Sequence, residues 1–146
     1  MRLEPLYRAT FMTRESWSVV IDGEHGSEGQ SFLIVEGRLE GRLSARLRGA
    51  NFPRRRTDGT FTPDFRGALE TDDGATILYA WHGYGTVSEQ GDHELVGSIT
   101  HVTDDRRYRW LNTAVCALTG EVHPREDGSG LDVVLDVAEI VPGRSR

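Results

Sequence analysis

Five histidines, one cysteine and 23 acidic side chains are the groups in this 146-residue chain that could move a proton, attack a carbon or hold a metal. The histidines are His25, His82, His93, His101 and His123, and none has a second ligand at the close spacing of a dedicated metal site. No metal and no cofactor is expected. His25 and His93 lie in glycine-rich loops and read as solvated, and His123, before Pro124, reads as a turn residue. His82 falls on the same strand face as Asp64, where a surface ion pair is expected. His101 is in line with Leu95, Gly97 and Ile99, so it should point inward, as a hydrogen-bonded core residue or a ligand contact. Cys116 sits in the apolar run Thr113–Leu118 and reads as a buried structural thiol. The pair Asp72-Asp73 precedes Gly74, so turn-making explains it better than acid–base chemistry. The phosphate-cradling P-loop, the dinucleotide fingerprint and the nucleophile elbow are absent. The aromatic set Tyr79, Trp81, Tyr108 and Trp110 is more informative. Large amphipathic rings beside polar groups suit a small-molecule pocket, and equally an aromatic core.

The elements that must position these groups are strands. From Glu36 to Arg48 the odd positions are small or apolar and the even ones mostly charged, an alternation of period two. With Phe32–Val35 ahead of it, this run is long for one straight strand, and Gly37 and Gly41 are its natural bending points. A hairpin is predicted from Asp64–Thr71 and Ala75–His82 around Asp72-Asp73-Gly74. Its register places Leu69 opposite Ile77, Gly67 opposite Tyr79 and Phe65 opposite Trp81 on an apolar face. The other face carries Asp64 opposite His82 and Arg66 opposite Ala80. Further strands are expected at Leu3–Met12, Trp17–Asp22, Leu95–Val102, Asn112–Leu118 and Leu131–Ile140. Gly23–Gly29, Gly83–Gly91 and Asp127–Gly130 punctuate them, and a helical turn at Asp104–Arg109 is capped by Thr103 or Asp104. About eight strands and no linker predict one all-β domain over 1–146, a closed antiparallel β-barrel able to enclose one small ligand.

Composition sets the outer bounds. A net charge of −6 makes nucleic acid a poor partner, and Arg54-Arg55-Arg56 reads as a solvated loop. No apolar run approaches the roughly 20 residues that span a bilayer. The start, Met1–Pro5, lacks the apolar core of a signal peptide, so a cytoplasmic protein with no membrane partner is expected.

From Val35 to Asn112 the chain resembles a bacterial and fungal family, domain of unknown function 3237. The matching residues are Gly37-Arg38-Leu39-x-Gly41, Gly49-Ala50-Asn51-Phe52, Asp58-Gly59, Asp64-x-Arg66, Leu69-x-Thr71-Asp72-Asp73-Gly74-Ala75, Gly83 and Tyr108-x-Trp110-Leu111-Asn112. The resemblance implies a barrel with an internal cavity, broadly like allene oxide cyclase and lipocalin barrels. Asn51 and Phe52 stand where the family usually has Asp-Trp, which removes a carboxylate, and His82 stands where an arginine is common. The pocket is expected to be lined by Tyr79, Trp81 and Trp110, with polar contacts from Asn51, Arg66, His101 and Asn112. Three readings stay open. The barrel binds a small molecule; it is an isomerase or cyclase whose pocket folds an apolar metabolite while His101 or a carboxylate moves a proton; or it is a filled barrel whose outer face makes a homo-oligomer.

Overall fold

The structure, a computed structural model, describes residues 1–89 and 92–143. Its strands are β1 (Arg2–Gly23), β2 (Gly26–Gly41), β3 (Ala45–Asn51), β4 (Arg54–Arg55), β5 (Phe61–Thr62), β6 (Asp64–Thr71), β7 (Thr76–Val87), β8 (His93–Val102), β9 (Val115–Pro124) and β10 (Leu131–Val141). A 3-10 helix, Arg106–Thr113, separates β8 from β9. All these strands belong to one antiparallel sheet. The pairings run in a ring, β1–β10–β9–β8–β7–β6–β3–β2, and return to β1 through the long β1–β2 hairpin. At one end of the ring the short β4 and β5 make a second bridge from β2 to β7. No helix among the described residues is long and apolar enough to cross a membrane.

The predicted hairpin has the expected register, with Leu69 opposite Ile77, Gly67 opposite Tyr79 and Phe65 opposite Trp81. Its apolar face is the buried one: Phe65, Leu69, Ile77, Tyr79 and Trp81 are each at most 4% exposed. Phe65 and Trp81 stack with centroids 4.2 Å apart, and Phe11 meets Phe65 edge-on. Tyr79 fits because Gly49 and Gly67 lie beneath its hydroxyl, where a Cβ on either would overlap it. The inward faces of the other strands complete the core with Phe11, Leu39, Leu47, Ile99, Leu118 and Leu135.

Several boundaries differ from the sequence reading. The Glu36–Arg48 run is two strands, because the chain reverses at Arg42–Ser44 and β2 pairs with β3, Leu39 facing Ala45. Inward parity survives the reversal, which is why the alternation looked unbroken. Leu3–Met12 and Trp17–Asp22 are one strand, β1, carrying a register shift between Thr13 and Glu15. Gly83 and Gly85 lie inside β7 rather than in a loop. Gly83 faces Gly97 across the β7–β8 pair, and a Cβ on either would overlap the opposing backbone. Of that expected loop, Gln90 and Gly91 lie outside the described residues. The helical turn sits later than expected, with Asp105 as its cap accepting from the Arg107 N–H. His123 lies in β9 beside Glu121, not in a turn.

The ring has one packed end. The β6–β7 turn, the β2–β3 reversal and the 3-10 helix meet there, and Leu6, Leu43 and Leu111 are at most 4% exposed. Tyr108 donates to Asp73 at 2.7 Å, and Arg107 reaches both Asp73 and Asp105. At the other end lie the tip of the β1–β2 hairpin, the end of β7, the start of β8 and the turn joining β9 to β10.

Gly67→Ala tests the close approach in the core. The added methyl meets the Arg48 carbonyl as well as the Tyr79 hydroxyl, so backbone must move. The expected cost is about 2–3 kcal/mol, read as a lower urea midpoint at unchanged slope.

Candidate functional site

A cavity of about 300 Å³ opens at the end opposite the 3-10 helix. Its walls are apolar: Phe11, Leu33, Val35, Phe61, Phe65, Leu95, Val122, Leu131 and Val133. Thr13, Ser16, Ser18, Ser31, Asn51 and His93 supply the polar side chains. The wider depressions lie on the outer face, for example the one bounded by Arg54, His82, Tyr84 and Val96.

The bulge in β1 decides which side chains the cavity receives. Before it, Phe11 and Thr13 face inward. After it the parity flips, so that Ser16 and Ser18 join the lining while Trp17 and Val19 face out. Ser18 and Ser31 are cross-strand partners with hydroxyl oxygens 2.7 Å apart.

Asn51 is a buried polar group on the lining. It ends β3 and is 5% exposed. The Asp64 N–H donates to its Oδ1 at 3.0 Å. An N–H can only donate, so this bond fixes the carboxamide and leaves Nδ2 as a free donor among the described residues. His93 begins β8, half-buried, with its ring 5.5 Å from that of Phe61. Among the described lining residues it is the titratable one. Its glycine-rich surroundings suggest a solvated loop residue, yet it shares the parity of Leu95, Gly97, Ile99 and His101. One further step of that alternation would have found it.

The other nominated residues lie elsewhere. Tyr79, Trp81 and His101 point inward but pack in the core, off the cavity wall. Arg66 is exposed on the outer face of β6, opposite Ala80. Trp110 is half-buried, packed against the core but off the cavity wall, with its ring under the Arg42 guanidinium at 4.4 Å and its Nε1 donating to the Arg107 carbonyl. Asn112 holds the end of β8: its Oδ1 accepts from the Thr103 N–H and its Nδ2 donates to the Thr103 carbonyl. His82 makes the expected surface pair with Asp64, at 3.5 Å.

The buried polar groups of the core keep their protons or stay neutral. His101 is 3% exposed, and its Nε2 lies 2.7 Å from the Tyr7 hydroxyl while Nδ1 has no partner among the described residues. Burial pushes His101 down to about 4 and holds Tyr7 well above the usual phenol range. Burial likewise raises Tyr79, and pushes the Cys116 thiol up to about 11. A thiol held protonated is a poor nucleophile.

The fold and cavity together define an all-β protein with a small apolar pocket at one end of its sheet. Among solved structures, the chain is similar to a β-barrel-like protein from Acinetobacter baumannii AYE, with TM-score 0.77, 23% identity and 94% of each chain covered. It is similar to a protein of unknown function from Clostridium acetobutylicum ATCC 824, with TM-score 0.80, 19% identity, and 97% of this chain and 100% of that one covered. It is also similar to an enzyme from Penicillium herquei, with TM-score 0.65, 19% identity and 93% of each chain covered. No curated protein matches the sequence. The profile of the family described as protein of unknown function (DUF3237) matches residues 1–140, and the chain belongs to that family.

His101 makes acid stability testable. Its folded value, about 4, lies below its ordinary 6.5, so only the unfolded chain takes up the proton between them. The stability tied to neutral His101 is therefore complete above pH 6.5 and is lost as pH falls toward 4. The loss reaches roughly 3 kcal/mol. His101→Gln keeps polar contact with Tyr7 and should flatten that part of the stability–pH curve relative to wild type, measured by denaturant titration at each pH.

Proposed function

We propose that the ring of pairings is a closed eight-stranded barrel, lipocalin-like in plan, and that its cavity binds one small, mainly apolar molecule. The observation that carries this reading is the apolar cavity of about 300 Å³ with the free Asn51 Nδ2 directed by the Asp64 N–H. That volume is at the lower end of ligand pockets and suits a molecule of one or two rings. A carbonyl or ether oxygen on such a molecule would accept from Asn51, while the phenylalanines and valines take its hydrocarbon surface. Serine and threonine hydroxyls at the mouth would meet its more polar end.

A second reading, an isomerase or cyclase in the same cavity, has one observation in its favour: His93 sits on the lining. A half-buried imidazole beside an apolar pocket can give or take a proton, and the pocket would hold a flexible substrate folded. The similar fold of the Penicillium herquei enzyme is compatible with this, though fold alone does not assign a reaction.

Leu33→Trp tests the binding reading by filling the cavity, since Leu33 is half-buried on its wall. Wild type should bind an environment-sensitive apolar fluorophore and be stabilised by it. The variant should lose roughly tenfold or more in affinity while melting within a few degrees of wild type. Equal affinity in both proteins would place the probe elsewhere and remove the cavity as the site. His93→Gln separates the two readings: it should leave affinity within about threefold, and would abolish turnover once a substrate is known.

A further inference from the structure

We infer that the outer edge of β1, from Arg14 to Gly23, pairs with the same edge of a second copy of this chain. The pairing with β10 stops where Met12 meets Asp132. From there to Gly23, β1 is hydrogen-bonded to β2 on one side. Among the described residues no other backbone bond reaches this stretch. Every residue from Arg14 to Gly26 is exposed.

Free edges usually carry a defence against pairing, such as a lysine, a proline or a bulge at mid-strand. This edge has none from Ser16 to Ile21, where the sequence is Ser-Trp-Ser-Val-Val-Ile. Trp17, Val19, Val20 and Ile21 are 55%, 62%, 60% and 59% exposed. Trp17 also begins an aromatic stack on the outer face, with Phe32 at 5.5 Å and then Phe52 at 4.9 Å. Unpaired amides beside uncharged, strongly β-forming side chains form a template for another strand.

The sequence of the edge favours its own copy as that strand. An antiparallel pairing about a two-fold axis at Val19 sets Trp17 of each copy opposite Ile21 of the other, an aromatic–β-branched pair of the favourable kind. The same register brings Arg14 beside Glu24 and Glu15 beside Gly23, so no like charges face each other. Centring on Ser18 instead would set Glu15 against Ile21, and centring on Val20 would set Trp17 against Gly23. Ser16 and Ser18 lie on the cavity side of this strand, so the second copy would extend the cavity's outer wall.

Sedimentation equilibrium of the full chain between micromolar and several hundred micromolar tests this. Wild type should shift from 16.3 kDa to twice that mass. Val19→Lys keeps the backbone but charges the axis, and should leave a folded monomer, with the fold checked by its melting curve. Arg14→Glu and Glu24→Arg should each weaken the dimer by about tenfold, because each sets like charges together at two places. The double variant should restore it. Arg14 also pairs with Glu36 in its own subunit, and a merely local role there would not be repaired by Glu24→Arg. A wild-type monomer throughout, open polymers in place of a dimer, or a dimer indifferent to Val19→Lys would each overturn the proposal.

Discussion

The pairing of β1 with β2 is the contact on which the rest of the structure depends. Without it, β1 and β2 would be the two edges of an open sheet, and the inward side chains of both would face water. With it, the first strand joins the last to the second, and one continuous set of inward positions becomes a shared core. The pairing to β10 joins the two ends of the chain, so it closes a long loop and is entropically costly. The β1–β2 hairpin is local, so its own closure costs less entropy. The bulge between Thr13 and Glu15 belongs to the same hairpin and determines which face of β1 borders the cavity.

The interior is divided along its length. At one end, Leu111 from the 3-10 helix and Leu6 and Leu43 fill the space. The polar groups around this end bond to one another: Asn112 to Thr103, Thr103 to the Thr76 carbonyl, and Tyr108 to Asp73. At the other end, the side chains between β2, β8 and β10 leave a space. Two histidines on one face of β8 mark the contrast. His101 is sealed against Tyr7 and held neutral, whereas His93 stands at the cavity mouth. The same strand thus carries a core residue and a candidate reactive group, separated by Ile99, Gly97 and Leu95.

Much of this was legible in the sequence where two signals agreed. Turn chemistry at Asp72-Asp73-Gly74 and the alternation on either side fixed one register, and the structure has it. His101 was placed inward from parity alone, and Cys116 from its apolar neighbours. The reversal at Arg42–Ser44 was not legible, because its length preserved parity and left no break in the pattern. Glycines misled in β7, where Gly83 serves close strand approach and not a turn. The pocket was the least legible part. Tyr79, Trp81 and His101 were nominated as large or polar inward groups, but large inward groups fill a core. The cavity lies where Ser18, Ser31, Gly85 and Pro53 stand among the large apolar side chains of the wall and leave space between them, and small residues carry no chemical signal in a sequence. Asn51 was found because it lies inside a recognised motif.

The central claim is that the open end of this sheet holds a small molecule. Native mass spectrometry of the protein purified directly from its source cells, compared with its mass after denaturation, tests it most directly. The account predicts an excess of one small molecule per chain that disappears on unfolding. The bare mass of 16.3 kDa, or a whole multiple of it, in both conditions would contradict it.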